Sequence, residues 1–122
     1  MKRLTNWIEI PVTNMDRGRK FYQEIFGGIV FHELEMAGCL YAIFPTEDWF
    51  NTGALVLGKQ YQPSASGILV YLDGGKDLSL ILDRVVRAGG VMLMPKTNLG
   101  DKAGYVGMFL DSEGNRIGLQ HM

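Results

Sequence analysis

The chain has 122 residues, with 12 Lys+Arg against 13 Asp+Glu, a formal net charge of −1, 47% hydrophobic residues and 20% charged ones. That is one domain's worth of length, enough to bury a core without staples, and the balance excludes a disordered chain and a polyanion-binding surface. Cys39 is the single cysteine, so there is no internal disulfide, and no apolar run nears the ~20 residues of a membrane helix. Thr5, Asn6 and Glu9 interrupt the stretch after the basic start, so no signal peptide is read and a cytoplasmic location is expected.

In chain order, residues 7–12 alternate Ile8, Ile10 and Val12 with Trp7, Glu9 and Pro11 and predict a strand. After a turn at Thr13-Asn14, the residues Met15, Gly18, Phe21, Tyr22, Ile25 and Phe26 fall at helical spacing, so a helix is predicted over 15–26. Gly27-Gly28 closes it as a C-cap. Strands are expected over 29–35, 39–44 and 53–57. Residues 59–66 carry Pro63, Ser64 and Ser66 without apolar periodicity and read as a linker.

The pattern then repeats. Residues 67–72 read as a strand with Ile68, Val70 and Leu72 on one face, and a helix is predicted over 76–88 with Leu78, Ile81, Leu82 and Val85 on its stripe. Gly89-Gly90 closes this helix as Gly27-Gly28 closes the first. Strands are expected over 91–95, 105–110 and 116–120, the last two joined by the turn cluster Asp111-Ser112-Glu113-Gly114-Asn115. The fold class is therefore α+β: βαβββ twice within a single domain 1–122, with module one about 5–58 and module two about 67–121. A single ferredoxin-like sandwich of order βαββαβ competes, but it fits less well, since three strands are read after each helix.

Ile-Pro-Val-Thr-Asn-Met-Asp-Arg (10–17), Phe21-Tyr22, Phe26-Gly27 and the closing hairpin through Asp111, Gly114 and Asn115 carry a resemblance over nearly the whole chain. The sequence resembles the glyoxalase/bleomycin-resistance/extradiol-dioxygenase superfamily, the vicinal oxygen chelate proteins, and within it the branch of predicted enzymes related to lactoylglutathione lyase. Ser112 stands where that signature commonly has proline. The resemblance implies tandem modules forming a cup-shaped mixed β-sheet, with helices on the convex side and a ligand in the cup. By strand alternation Trp7, Glu9 and Pro11 then face the cup, with Gly67, Leu69 and Tyr71 from the fifth strand and Arg116, Gly118 and Gln120 from the last.

Metal-dependent members of that superfamily place His or Glu on the first and last strands of each module. Here the corresponding positions are Trp7, Gly67, Gly118 and a residue near Leu55 or Val56, none with a suitable lone pair. No cofactor and no divalent metal is expected. His32 and Glu33 point to opposite strand faces, His121 sits next to the C-terminus and reads as mobile, and Cys39 reads as packing.

The candidate ligand-binding set is Trp7, Glu9, Gly67, Leu69, Tyr71, Arg116, Gly118 and Gln120, with Glu9 as the candidate general acid or base. Glu9 also reads as a carboxylate paired with Arg116. Trp7 offers either a stacking surface or core filling, and Phe21 and Tyr22 read as core. The loops over 45–52, with Trp49 and Phe50, and over 96–104 are candidate covers. The leading function is metal-independent binding of a small organic molecule, aromatic ones included, in the cup. The alternatives are a lyase or isomerase related to lactoylglutathione lyase, and a structural or regulatory partner domain. A homodimer is expected, with no nucleic acid and no membrane as partner.

Overall fold

The computed structural model describes residues 1–47 and 52–122. The elements run β1 (Ile8–Pro11), α1 (Met15–Ile25), β2 (His32–Met36), β3 (Cys39–Ile43), β4 (Gly53–Leu57), β5 (Val70–Asp73), α2 (Leu78–Arg87), β6 (Val91–Asn98), β7 (Tyr105–Leu110) and β8 (Arg116–His121). This is an α+β fold of two βαβββ modules. Each module forms a four-stranded mixed sheet, ordered β1-β4-β3-β2 in one and β5-β8-β7-β6 in the other. In both, the helix carries the chain to the far edge and an antiparallel meander returns the last strand parallel to the first. Among the described residues no helix is long and apolar enough to cross a membrane.

The helices start and stop by matching local chemistry. Asn14 Oδ1 accepts from Arg17 N at 3.0 Å, and Asp77 Oδ1 accepts from Ser79 N at 3.1 Å, each N-cap having extended backbone. At the other ends Gly28 N donates to Gln23 O and Gly90 N to Val85 O, the six-residue closure of a Schellman cap. The apolar stripes that the spacing predicts then meet in one core: Phe21, Tyr22 and Ile25 of α1 pack with Leu82 and Val85 of α2 and Phe109 of β7. Ile10 and Val12 join them, so β1 turns this face to the helices and Trp7 and Glu9 to the other.

The closing hairpin is the joint between the modules. Asp111 is buried, and its carboxylate accepts from Tyr22 Oη at 2.6 Å, Asn115 Nδ2 at 3.0 Å, Glu113 N at 2.8 Å and Asn115 N at 2.9 Å. The Asn115 amide also donates to Pro11 O at 2.7 Å. Glu113 reaches across to the β1–α1 turn, accepting from Thr13 N and Asn14 N at 2.9 Å and pairing with Arg17 at 2.6 Å. A β-carbon on Gly18 would lie 2.8 Å from Val12, so α1 sits close against the strand that precedes it. The motif that carries the resemblance thus serves in this chain as an inter-module clasp.

Two expectations are corrected by the fold. The strand predicted from Gly67 starts instead at Val70; Gly67 has φ of 86°, which an extended strand cannot use, and Ile68 is 92% exposed rather than inward. The reason lies in the preceding segment. Ser64 O takes the Arg116 N–H and Ser64 N bonds Asn115 Oδ1, so residues 64–66 occupy the edge of β8 that a longer β5 would need. Gly67 and Leu69 therefore precede the strand. His121, which reads as mobile from its place in the chain, is buried; its Nδ1 accepts from Leu78 N at 3.0 Å and its ring lies 4.9 Å from that of Tyr105. It satisfies an orphan donor at the start of α2. The covering role expected of Trp49 and Phe50 lies outside the described residues.

Candidate functional site

On the helix-free face of module one, Glu9 is the centre of a polar network. Its Oε2 accepts from the Trp7 indole N–H at 3.2 Å and its Oε1 from Tyr61 Oη at 2.8 Å. Tyr61 comes from the segment read as linker; its N–H bonds Gly58 O, which turns the ring back onto Ile43, Ala54 and Val56. The bond to Glu9, with Tyr41 adding in the same direction, raises the Tyr61 hydroxyl above its ordinary pKa. Among the described residues no arginine or lysine pairs with Glu9, so the expected Glu9–Arg116 pair is absent and the carboxylate orients the indole instead. Sequence reasoning missed Tyr61; an aromatic inside an otherwise polar linker was the available signal.

On module two, Tyr71 and Gly118 are cross-strand partners. A β-carbon on Gly118 would lie 2.5 Å from Tyr71 Cδ1, so the ring lies across the glycine and takes the space a side chain would fill. Gly118 is thus a bed for Tyr71. Gln120 Nε2 donates to Ala103 O at 2.8 Å, tying β8 to the loop before β7. Arg116 Nη2 donates to Gly67 O at 3.3 Å, while its Nε is buried without a hydrogen-bond partner among the described residues.

The edges of β1 and β5 face each other without ladder hydrogen bonds, and the seam between them opens into two spaces. The larger, about 610 Å³, takes Trp7 and Ile8 from one side and Tyr71, Leu72 and Asp73 from the other. The smaller, about 140 Å³, takes Glu9 and Pro11 with Val70, Asn115 and Arg116. The start of β1 therefore lies by the end of β5, and the two strands run antiparallel across the seam. Ile25, Phe26 and Phe44 of module one and Ile81 of α2 wall the larger cavity on the helix side. It runs through the seam, from the aromatic pair Trp7 and Tyr71 into an apolar interior, the composition usual for small-molecule sites.

The two cavities divide the predicted set. Trp7 and Tyr71 share the large one, Glu9 and Arg116 share the small one, and Gly67, Leu69, Gly118 and Gln120 line neither. The superfamily's metal positions do not offer ligands here. Trp7 uses its only polar hydrogen on Glu9, Leu55 is buried among the helices, Val56 packs beside Tyr61, Gly67 lies in a turn, and Gly118 is under Tyr71. A divalent cation prefers imidazole, carboxylate or thiolate, and this donor set does not fit one.

Comparison with known proteins agrees with the architecture. The chain is 26% identical over 122 residues to "Putative glyoxylase CFP32" of Mycobacterium tuberculosis, the match covering 93% of this chain and 44% of that protein. It spans less than half the length of the curated relatives it matches. A glyoxalase/bleomycin resistance protein from Albidiferax ferrireducens has a TM-score of 0.70 at 16% identity, over 98% of this chain and 100% of that one. Glyoxalase I from Zea mays has a TM-score of 0.68 at 15% identity, over 97% of this chain and 44% of that one. At these identities the solved structures speak for the fold. Residues 5–119 match the family model as a whole, and the chain belongs to the Glyoxalase/Bleomycin resistance protein/Dioxygenase superfamily.

Proposed function

We propose that this protein binds a small organic molecule with a flat apolar body in the large seam cavity, without a metal ion. The observation that carries the reading is the cavity of about 610 Å³ flanked by Trp7 and Tyr71, one aromatic ring from each module. A cavity of that size accepts a ligand of one or two rings. Glu9 holds the indole through its N–H, and Tyr61 holds Glu9, so the stacking surface is oriented before a ligand arrives. Glu9 is then a positioning residue. Both of its oxygens already accept hydrogen bonds, which favours this role over proton abstraction.

Calorimetric titration with bicyclic aromatic compounds tests the site. Trp7→Ala is expected to weaken binding by about 1 kcal/mol, the scale of an aromatic contact. Glu9→Gln is expected to fold as the parent does and to change ligand preference. Titration with Zn, Ni, Fe and Mn tests the metal-independent part. Stoichiometric binding of any of these at micromolar affinity would overturn that part and favour a metal-dependent lyase or isomerase.

A homodimer is part of the proposal. The edge strand β6 leaves Val91, Met92 and Leu93 about half exposed, and an apolar edge strand without cover invites pairing. Light scattering is expected to give twice the chain mass; a monomer at high concentration would contradict it.

A further inference from the structure

We infer that the ligand of the seam cavity is an amphipathic anion, an organic carboxylate whose acid group is read by Arg84 and Lys76; the inference rests on the cavity being the binding site. Both side chains line the cavity, Arg84 from the second turn of α2 and Lys76 from the turn before it. Arg84 is half-buried beside Ile25, Phe26 and Ile81, and Nη1 donates to Ile25 O at 3.2 Å. Among the described residues neither Arg84 nor Lys76 pairs with a carboxylate. A half-buried guanidinium set against apolar walls, with no carboxylate beside it among the described residues, is suited to a planar anion, which it can bond through its remaining N–H groups.

Among the described residues the two carboxylates of the cavity lining, Asp73 and Asp77, have partners of their own. Asp77 Oδ1 accepts from Ser79 N and Oγ and pairs with Lys96 Nζ at 3.0 Å. Asp73 accepts from Gly75 N at 2.9 Å and sits at the end of β5, on the face of Tyr71. The α2 N-terminus is not the anion holder, because Leu78 N bonds His121 and Ser79 N bonds Asp77. Among the described residues Arg84 and Lys76 are cations of the cavity lining without a carboxylate partner.

The test is calorimetric titration of the full chain with 1-naphthylacetate and with its neutral isostere 1-naphthylacetamide. The acid is expected to bind about tenfold more tightly than the amide, the scale of one charge-assisted contact, with a preference that falls as salt rises. Arg84→Gln is expected to abolish the preference and Lys76→Gln to reduce it about threefold. Trp7→Ala is expected to weaken acid and amide alike. Lys76 is exposed, so its variant reports even where Arg84→Gln fails to fold. Equal binding of acid and amide would overturn the anion assignment and leave the cavity reading standing. A preference that survives in Lys76→Gln and Arg84→Gln would overturn the assignment of these residues. Absence of binding by both compounds would overturn the cavity reading and this inference together.

Discussion

Glu113→Gln is expected to lower the unfolding free energy at neutral pH by about 2–3 kcal/mol and to remove most of the chain's sensitivity to mild acid. The Glu113 side chain is fully buried in the joint. Burial alone would push its pKa up, but the Arg17 guanidinium, the backbone N–H groups of Asn14 and Thr13, and Ser112 outweigh that and hold it at about 2, against an ordinary 4.5. A folded-state pKa below the unfolded one stabilises the fold above the unfolded value, and the gain is lost as pH falls toward the folded value. For Glu113 that window is pH 4.5 down to about 2. The full shift corresponds to about 3 kcal/mol at 1.36 kcal/mol for each pKa unit. Denaturant titrations at pH 7, 4 and 2 check it. The parent and the variant should differ at pH 7 and converge at pH 2; a constant gap across that range would refute the linkage. Asp77, also held at about 2, has a side chain 42% exposed and leaves both proteins a small residual acid response.

Asp111→Ala should be more damaging, by about 3–5 kcal/mol, because it strands donors in a buried joint. Tyr22 Oη, Glu113 N and Asn115 N lose their partner, and Asn115 Nδ2 keeps only Pro11 O. Tyr22→Phe is the milder probe. Removing that hydroxyl takes one donor from a carboxylate that keeps three others, and about 1–2 kcal/mol is expected. The double variant should fall short of the sum of the two single effects by about 1 kcal/mol, since both remove the same bond. The Tyr22 hydroxyl gives an independent readout: burial, and then the Asp111 carboxylate, push it well above the ordinary range, so it should resist ionisation in the folded chain and titrate normally on unfolding. Additive single effects would mean that Tyr22 and Asp111 do not act as a pair.

The joint also marks where local reading stops. Asp111, Gly114 and Asn115 are legible as a turn between two apolar runs, because turn chemistry is a property of neighbouring residues. The partners of Asp111, Glu113 and Asn115, namely Tyr22, Thr13, Arg17 and Pro11, lie about a hundred positions earlier, and no periodicity connects the two stretches. The strand start at Val70 is a similar case. The residues from Gly67 alternate well enough for a strand, but residues 64–66 compete for the same edge of β8 and win through bonds to Arg116 and Asn115.

The succession of elements and the face each residue takes are local properties of the chain. Alternation with period two and spacing near 3.6 are set by backbone geometry, so Ile10 and Val12 against Trp7 and Glu9, or the stripe of Leu78, Leu82 and Val85, are legible in the order of residues alone. The residue identities alone show that Trp7 and Gly118 carry no metal-binding side chain. What those positions hold instead follows from how distant elements pair. Tyr71 lies over Gly118 because β5 and β8 pair in that register, and Tyr61 meets Glu9 because a turn at Gly58 brings it back. The seam cavity, with Arg84 on its wall, exists because β1 and β5 approach without hydrogen-bonding. Such a gap is the space left between two modules, each complete in its own backbone pairing, and space between surfaces has no local signature in a chain.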